Sequence, residues 1–109
     1  MSSFSEKGLL GELEQLVLLA VVRLEGEGYA VTLRDEIAAR TGIELGRGSV
    51  YVTLDRLDRK GYVASRLGAP IALRGGKARR CFTATPAGRR ALAAAEQAIA
   101  RMRPARGTR

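Results

Sequence analysis

The sequence predicts a mainly α-helical fold with one small β-hairpin, in the order α-α-α-β-β-α. Three observations predict it. Apolar residues recur at helical spacing in three stretches before residue 60, the period changes to that of strands after Gly61, and Thr85-Pro86 opens one last helical stretch. At 109 residues the chain has the size of one domain with one core, and its 46% hydrophobic and 28% charged residues are the composition of a soluble globular protein. The longest apolar run, Leu16 to Val22, is far short of the roughly 20 residues that span a bilayer, so no transmembrane or signal segment is expected.

The first helix should run from about Leu9 to Leu24, with Leu13, Leu16, Val17, Ala20 and Leu24 at helical spacing. Leu18, Leu19, Val21 and Val22 make it apolar around most of its circumference, so it needs burial on more than one side. A small domain supplies one side and a partner subunit could supply the other. Gly26 and Gly28 stop this helix, and a turn containing Tyr29 follows. The second helix should start at Thr32 as cap, with Asp35 three residues on, bury Leu33, Ile37 and Ala38, and end at Thr41-Gly42. A third helix should run from Arg47 or Gly48 to Lys60, closed by Gly61, with Val50, Leu54 and Leu57 inward. Helix, short turn and helix in this order suggest a helix-turn-helix. Strands are expected at Tyr62 to Leu67 and Arg79 to Thr85, joined by the long cationic segment Gly68 to Ala78. Thr85 then reads as the cap of an alanine-rich helix reaching about Met102, with Pro86 at its first position, where a missing N–H costs nothing.

The net charge is +8, a level that attracts polyanions. Its distribution says more. Residues 1 to 65 hold eight Lys/Arg against ten Asp/Glu, whereas residues 66 to 109 hold eleven against the single acid Glu96. Charge concentrated this way suggests a surface with a direction rather than a uniform cationic shell. Histidine is absent and Cys81 is the only cysteine, which excludes an intrachain disulfide and a multi-cysteine metal site and leaves no catalytic set to propose. A lone strand cysteine reads as a small packed hydrophobe before it reads as a redox sensor. No metal or cofactor is called for, and a cytoplasmic location is the default.

Two constellations point to a nucleic-acid partner. With Val50, Leu54 and Leu57 turned inward, Arg47, Ser49, Thr53 and Arg56 should fall mainly on the opposite side of the third helix, with Tyr51 at its flank. Arg can pair with guanine O6 and N7, while hydroxyls can bond phosphates or base edges. An ordinary amphipathic helix meeting water would carry the same residues, and Glu44, Asp55 and Asp58 dilute the charge, so the helix gains meaning only from its neighbours. The neighbour is the basic hairpin, with Arg74, Lys77, Arg79 and Arg80 around Gly75-Gly76, which can follow a phosphate backbone or a narrow minor groove. A nucleotide-binding loop is disfavoured, because the Gly-x-x-x-x-Gly-Lys-Ser/Thr spacing is missing and no helix follows.

The ordered combination of Gly11-Glu12-Leu13-Glu14-Gln15-Leu16-Val17-Leu18-Leu19-Ala20, Gly48-Ser49-Val50-Tyr51-Val52-Thr53-Leu54-Asp55-Arg56-Leu57, Lys60-Gly61-Tyr62-Val63, Arg74-Gly75-Gly76-Lys77-Ala78-Arg79-Arg80 and Thr85-Pro86-Ala87-Gly88 resembles the PadR-type transcriptional regulators. The resemblance covers roughly residues 9 to 100. It implies a winged helix-turn-helix that binds double-stranded DNA as a homodimeric repressor, with Arg47 to Arg56 as reading helix and Arg74 to Arg79 as wing. Three positions depart from the family pattern. Cys81 stands where many relatives have an aromatic residue, Ala84 where leucine is frequent, and Tyr62 where an aliphatic residue is common, which implies looser packing of the hairpin.

The resemblance divides the chain into an N-terminus at 1–8, a DNA-binding domain at 9–88, a dimerisation helix at 89–103 and a basic tail at 104–109. Leu13, Leu16 and Val17 of the first helix and Ala91, Ala95, Ala98 and Met102 of the last are the expected dimerisation residues, since a stripe of small residues permits close helix approach. The last helix could instead fold back on its own first helix and complete a monomer core. Relatives of this kind can respond to small-molecule effectors, but the absence of Trp and an aromatic content of 5% give a stacked drug site little support. The rival from another class is a winged-helix adaptor that binds protein without reading DNA sequence.

Overall fold

A computed structural model describes residues 9–70 and 78–105. Helices α1 (Glu12–Arg23), α2 (Ala30–Thr41) and α3 (Arg47–Arg59) are followed by strands β1 (Val63–Pro70) and β2 (Ala78–Ala84) and by helix α4 (Pro86–Met102). The predicted order α-α-α-β-β-α is therefore the observed one. Among the described residues no helix is long and apolar enough to cross a membrane.

The core explains the order. Val17, Leu18 and Val21 of α1, Leu33 and Ile37 of α2, and Val50, Leu54 and Leu57 of α3 meet Val63, Phe82, Leu92 and Ala95 in one cluster. Helix α1 lies at its centre, touching α2, α3, β2 and α4, so most of its apolar circumference is used within the protomer. Val17 is fully buried there and Ala95 nearly so, which removes both from the expected dimer surface. Helix α4 does fold back on α1, through Leu92 and Ala95, but its last turns leave Ile99 and Met102 exposed.

Helix ends follow local chemistry. The backbone of Gly42 at φ +76° and Gly61 at φ +77° lets the chain leave α2 and α3 in a left-handed turn, as predicted. Helix α2 starts two residues before the predicted Thr32. Tyr29 is the cap, and Thr32 sits at the third helical position, where its Oγ1 accepts the Tyr29 N–H at 3.1 Å. That contact is the reciprocal half of a capping box, so the hydroxyl stands at a helix start as expected but in the other role. Thr85 caps α4 as predicted: its Oγ1 accepts the Gly88 N–H at 3.0 Å, with Pro86 at the first position.

The hairpin is antiparallel, pairing Val63 with Ala84 and Ser65 with Phe82, and is irregular between Leu67 and Pro70. Strand β1 runs through Gly68 to Pro70, so the sheet is longer than predicted. The Phe82 N–H also donates to the Gly28 carbonyl at 2.9 Å, pinning β2 to the turn before α2. Cys81 and Phe82 are both fully packed, with Cys81 Sγ 3.6 Å from the Gly26 carbonyl oxygen. The departures from the family pattern thus leave β2 well anchored, and Cys81 occupies the place of a small hydrophobe.

One part-buried ion pair fixes the end of α3 against α1. Lys60 Nζ donates to Glu14 Oε2 at 2.8 Å, and Glu14 Oε1 accepts the Gly11 N–H at 3.0 Å. Burial raises the pKa of Glu14, but the bonds from Lys60 and Gly11 and the charges of Lys60 and Arg56 outweigh it and hold the carboxyl below its ordinary 4.5. A depressed acid stabilises the fold above its unfolded pKa and loses that contribution as pH falls through the folded value. Glu14→Gln should therefore cost about 1.5 kcal/mol at neutral pH, the scale of a hydrogen bond to a charged group. The gap to wild type should close as pH falls below 4.5 in urea titrations; a gap independent of pH would contradict the assignment.

Candidate nucleic-acid interface

Helix α3 has one exposed face because its other side is locked in the core. Val50, Thr53, Leu54 and Leu57 are buried, and at 100° per residue the opposite side centres on Gly48, Val52, Asp55 and Arg59. Arg47 and Tyr51 lie on the flank toward the hairpin, and Ser49 and Arg56 on the flank toward α1, where Arg56 acts on Glu14. Thr53 departs from the expected outer placement. It is only 2% exposed, and its Oγ1 donates to the Ser49 carbonyl at 2.8 Å, so the hydroxyl is satisfied inside the helix while the side chain packs like valine. Polarity alone suggests an outward Thr53, but a hydroxyl bonded one turn back needs no water.

The charges on α3 are sorted rather than diluted. Asp55 pairs with Arg59 at 2.7 Å and Asp58 with Arg80 of β2 at 3.6 Å. Among the described residues Arg47 and Arg56 form no ion pair, and both side chains are exposed. Asp55 and Asp58 are thus occupied by other partners, and the two cations expected to meet DNA are available.

A cleft of about 120 Å³ joins three elements: Tyr29, Ala30 and Val31 from the start of α2, Arg47 and Tyr51 from α3, and Arg79 and Arg80 from β2. The Arg79 guanidinium lies over the Tyr29 ring, 3.9 Å from its centroid, and Arg80 bonds Ser65 Oγ at 2.9 Å while lying 4.9 Å from the Phe82 ring centroid. Stacking fixes the plane of a guanidinium and leaves its edge N–H groups free for phosphate. The start of β2 is thereby brought beside the N-terminal half of α3. Arg74 and Lys77, the other expected wing contacts, lie outside the described residues. Tyr29 is the part that sequence reasoning missed: it read as a turn residue, and only the fold carries β2 to it.

A protein-family model described as the transcriptional regulator PadR-like family matches residues 18–94. The chain belongs to that family. Among solved structures this PadR-like regulator is similar to a PadR family transcriptional regulator from Eggerthella lenta, at 27% identity and TM-score 0.66 over 84% of this chain and 79% of the other. It is also similar to a PadR-like regulator from Bacillus cereus, at 22% identity and TM-score 0.66 over 82% of each chain. A third is PadR of Bacillus subtilis, solved in complex with operator DNA, at 17% identity and TM-score 0.66 over 89% of this chain and 53% of that one. No curated protein sequence matches the chain. The fold of this PadR-like regulator is therefore the winged helix-turn-helix expected from its sequence.

Two features of the regulator lie away from the cleft. An apolar groove of about 560 Å³ runs between the start of α1 and the end of α4, lined mainly by Leu9, Leu10, Ala95, Ala98, Ile99 and Met102. A second, of about 340 Å³, continues past Ile99 to Leu16, Leu19 and Ile43. Of the expected dimerisation residues, Leu13, Leu16, Ala91 and Ala98 are half-buried and Met102 is 83% exposed.

The wing can be tested directly. Arg79→Ala should weaken binding to specific and random duplexes to a similar extent, because phosphate contacts carry little sequence information. It should also flatten the log-log salt dependence by about 0.9 for every phosphate that a protomer no longer neutralises. An unchanged slope would take Arg79 out of the interface.

Proposed function

We propose that this PadR-like regulator is a sequence-specific double-stranded DNA-binding protein that represses transcription as a cytoplasmic homodimer on an inverted-repeat operator. The observation that carries the proposal is the cleft, which sets the exposed Arg47 and Tyr51 of α3 beside the stacked Arg79 and Arg80 of β2. Helix α3 supplies base contacts, β2 and the hairpin supply phosphate contacts, and the N-terminus of α3 has no side-chain cap, leaving N–H groups at a positive helix end for a phosphate. The fold shared with the Bacillus subtilis PadR bound to operator DNA supports this use.

Dimerisation is supported by the exposed end of α4 and the grooves around it. Two protomers joined there would place two reading helices in successive major grooves, about 34 to 36 Å apart, and occupancy of such a site blocks polymerase by bulk alone. No cofactor enters this mechanism. The test is footprinting on DNA upstream of the protein's own coding region. Protection of two half-sites related by two-fold symmetry is the expected result, and protection without symmetry, or none, counts against it.

A further inference from the structure

Val52 is 53% exposed at the centre of the outward face of α3, between Arg47 and Tyr51 on one flank and Arg56 on the other. Gly48 lies one turn before it on the same face, and a Cβ built there meets nothing within 4 Å. A single exposed valine on a protein surface is ordinary. This one is not explained by stability, because β-branched valine is a weaker helix former than alanine at an exposed site and Val52 contributes nothing to the core. Its neighbours one turn on are the charged Asp55 and Arg56, of which Asp55 is held by Arg59.

We infer that Val52 is a specificity-determining residue that reads a thymine in each half-site by packing on the C5-methyl group, with Gly48 leaving room for the base edge to approach. The inference rests on the DNA-reading role proposed for α3. In the major groove only thymine carries a methyl group, and apolar side chains recognise it by contact. Arg47 and Tyr51 on one flank and Arg56 on the other border the same exposed face, so the residue between them on the ridge of the helix faces base edges. A short β-branched side chain offers two methyl groups close to the backbone. It cannot swing aside as leucine or methionine would, which suits discrimination of one methyl group.

The test begins with duplexes enriched from a random library by binding to the full chain. Each thymine of the enriched site is then replaced by uracil, which removes only the methyl group. One such replacement per half-site should weaken wild type about fourfold per half-site, the value of one buried methyl-sized group. Val52→Ala should bind the thymine site about fourfold less tightly per half-site and should be indifferent to the same replacement. Val52→Ala raises helix propensity, so loss of folding does not confound the comparison. An enriched site in which every uracil replacement affects both proteins equally, or which lacks thymine, overturns the role of Val52 and leaves DNA reading intact. Failure to enrich any site overturns the DNA-reading role and this inference with it.

Discussion

Gly88→Ala should destabilise the protein by roughly 2 kcal/mol, lowering the unfolding midpoint by about 10 °C for a domain of this size. Alanine is the better helix former by about 1 kcal/mol, so on propensity alone the change should stabilise α4. Packing decides the sign. A Cβ at position 88 would collide with the Tyr62 carbonyl oxygen and stand 2.9 Å from the carbonyl carbon and 3.1 Å from the Cα of the same residue. All three are backbone atoms, so no side chain can rotate away. The same carbonyl accepts the Thr85 N–H at 3.0 Å, and Thr85 Oγ1 donates to the Gly61 carbonyl at 2.7 Å, so α4 is docked on the α3–β1 junction by its first turn. Overpacking of this kind costs typically about 1–3 kcal/mol and occasionally more, which exceeds the propensity gain. Thermal unfolding measures it, and an unchanged or raised midpoint would show that α4 is not seated as described.

The second large effect concerns assembly. Ile99→Glu with Met102→Glu should convert the proposed dimer into a protomer of 11.7 kDa by light scattering and weaken binding to a two-half-site duplex by about 100-fold, through loss of bivalency. The reason is placement. Ile99 is 47% and Met102 83% exposed at the end of a helix whose earlier turns are already held by Leu92 and Ala95, so the double change leaves the protomer core untouched. It does place two carboxylates in an apolar groove that a second copy would cover, where unpaired charge is strongly disfavoured. A double variant that keeps the dimer mass would move the interface elsewhere on the molecule.

Much of the fold is legible in the sequence, for reasons that differ by element. Helix α3 is legible because Val50, Leu54 and Leu57 keep strict spacing and Gly61 marks its end. Helix α4 is legible because Thr85 and Pro86 are specific start signals. The proposed dimer surface is less so: a helix that is apolar all round looks the same whether it is covered by its own chain or by a partner, and Val17 and Ala95 are covered by their own chain. In the candidate interface, polarity selects Arg47, Ser49, Tyr51 and Arg56 at exposed positions. The same criterion selects the buried Thr53 and passes over Val52. Tyr29 carries no periodic signal at all, because its role depends on β2 returning to the start of α2.

The most direct test of base reading by α3 is the ratio of specific to random DNA affinity, measured at one fixed salt concentration for wild type and Arg47→Ala. Arg47 is exposed, without an ion pair among the described residues, and set in the cleft beside Arg79, and its loss from a helix surface should alter folding by no more than about 0.5 kcal/mol. If α3 reads bases, the variant should lose roughly 1 to 3 kcal/mol per half-site on the footprinted site and much less on random duplex, so the ratio falls at least about tenfold for a two-half-site operator. An unchanged ratio in Arg47→Ala, and again in Ser49→Ala and Arg56→Ala, would mean that this helix does not read sequence and that the winged fold serves here as a protein-binding adaptor.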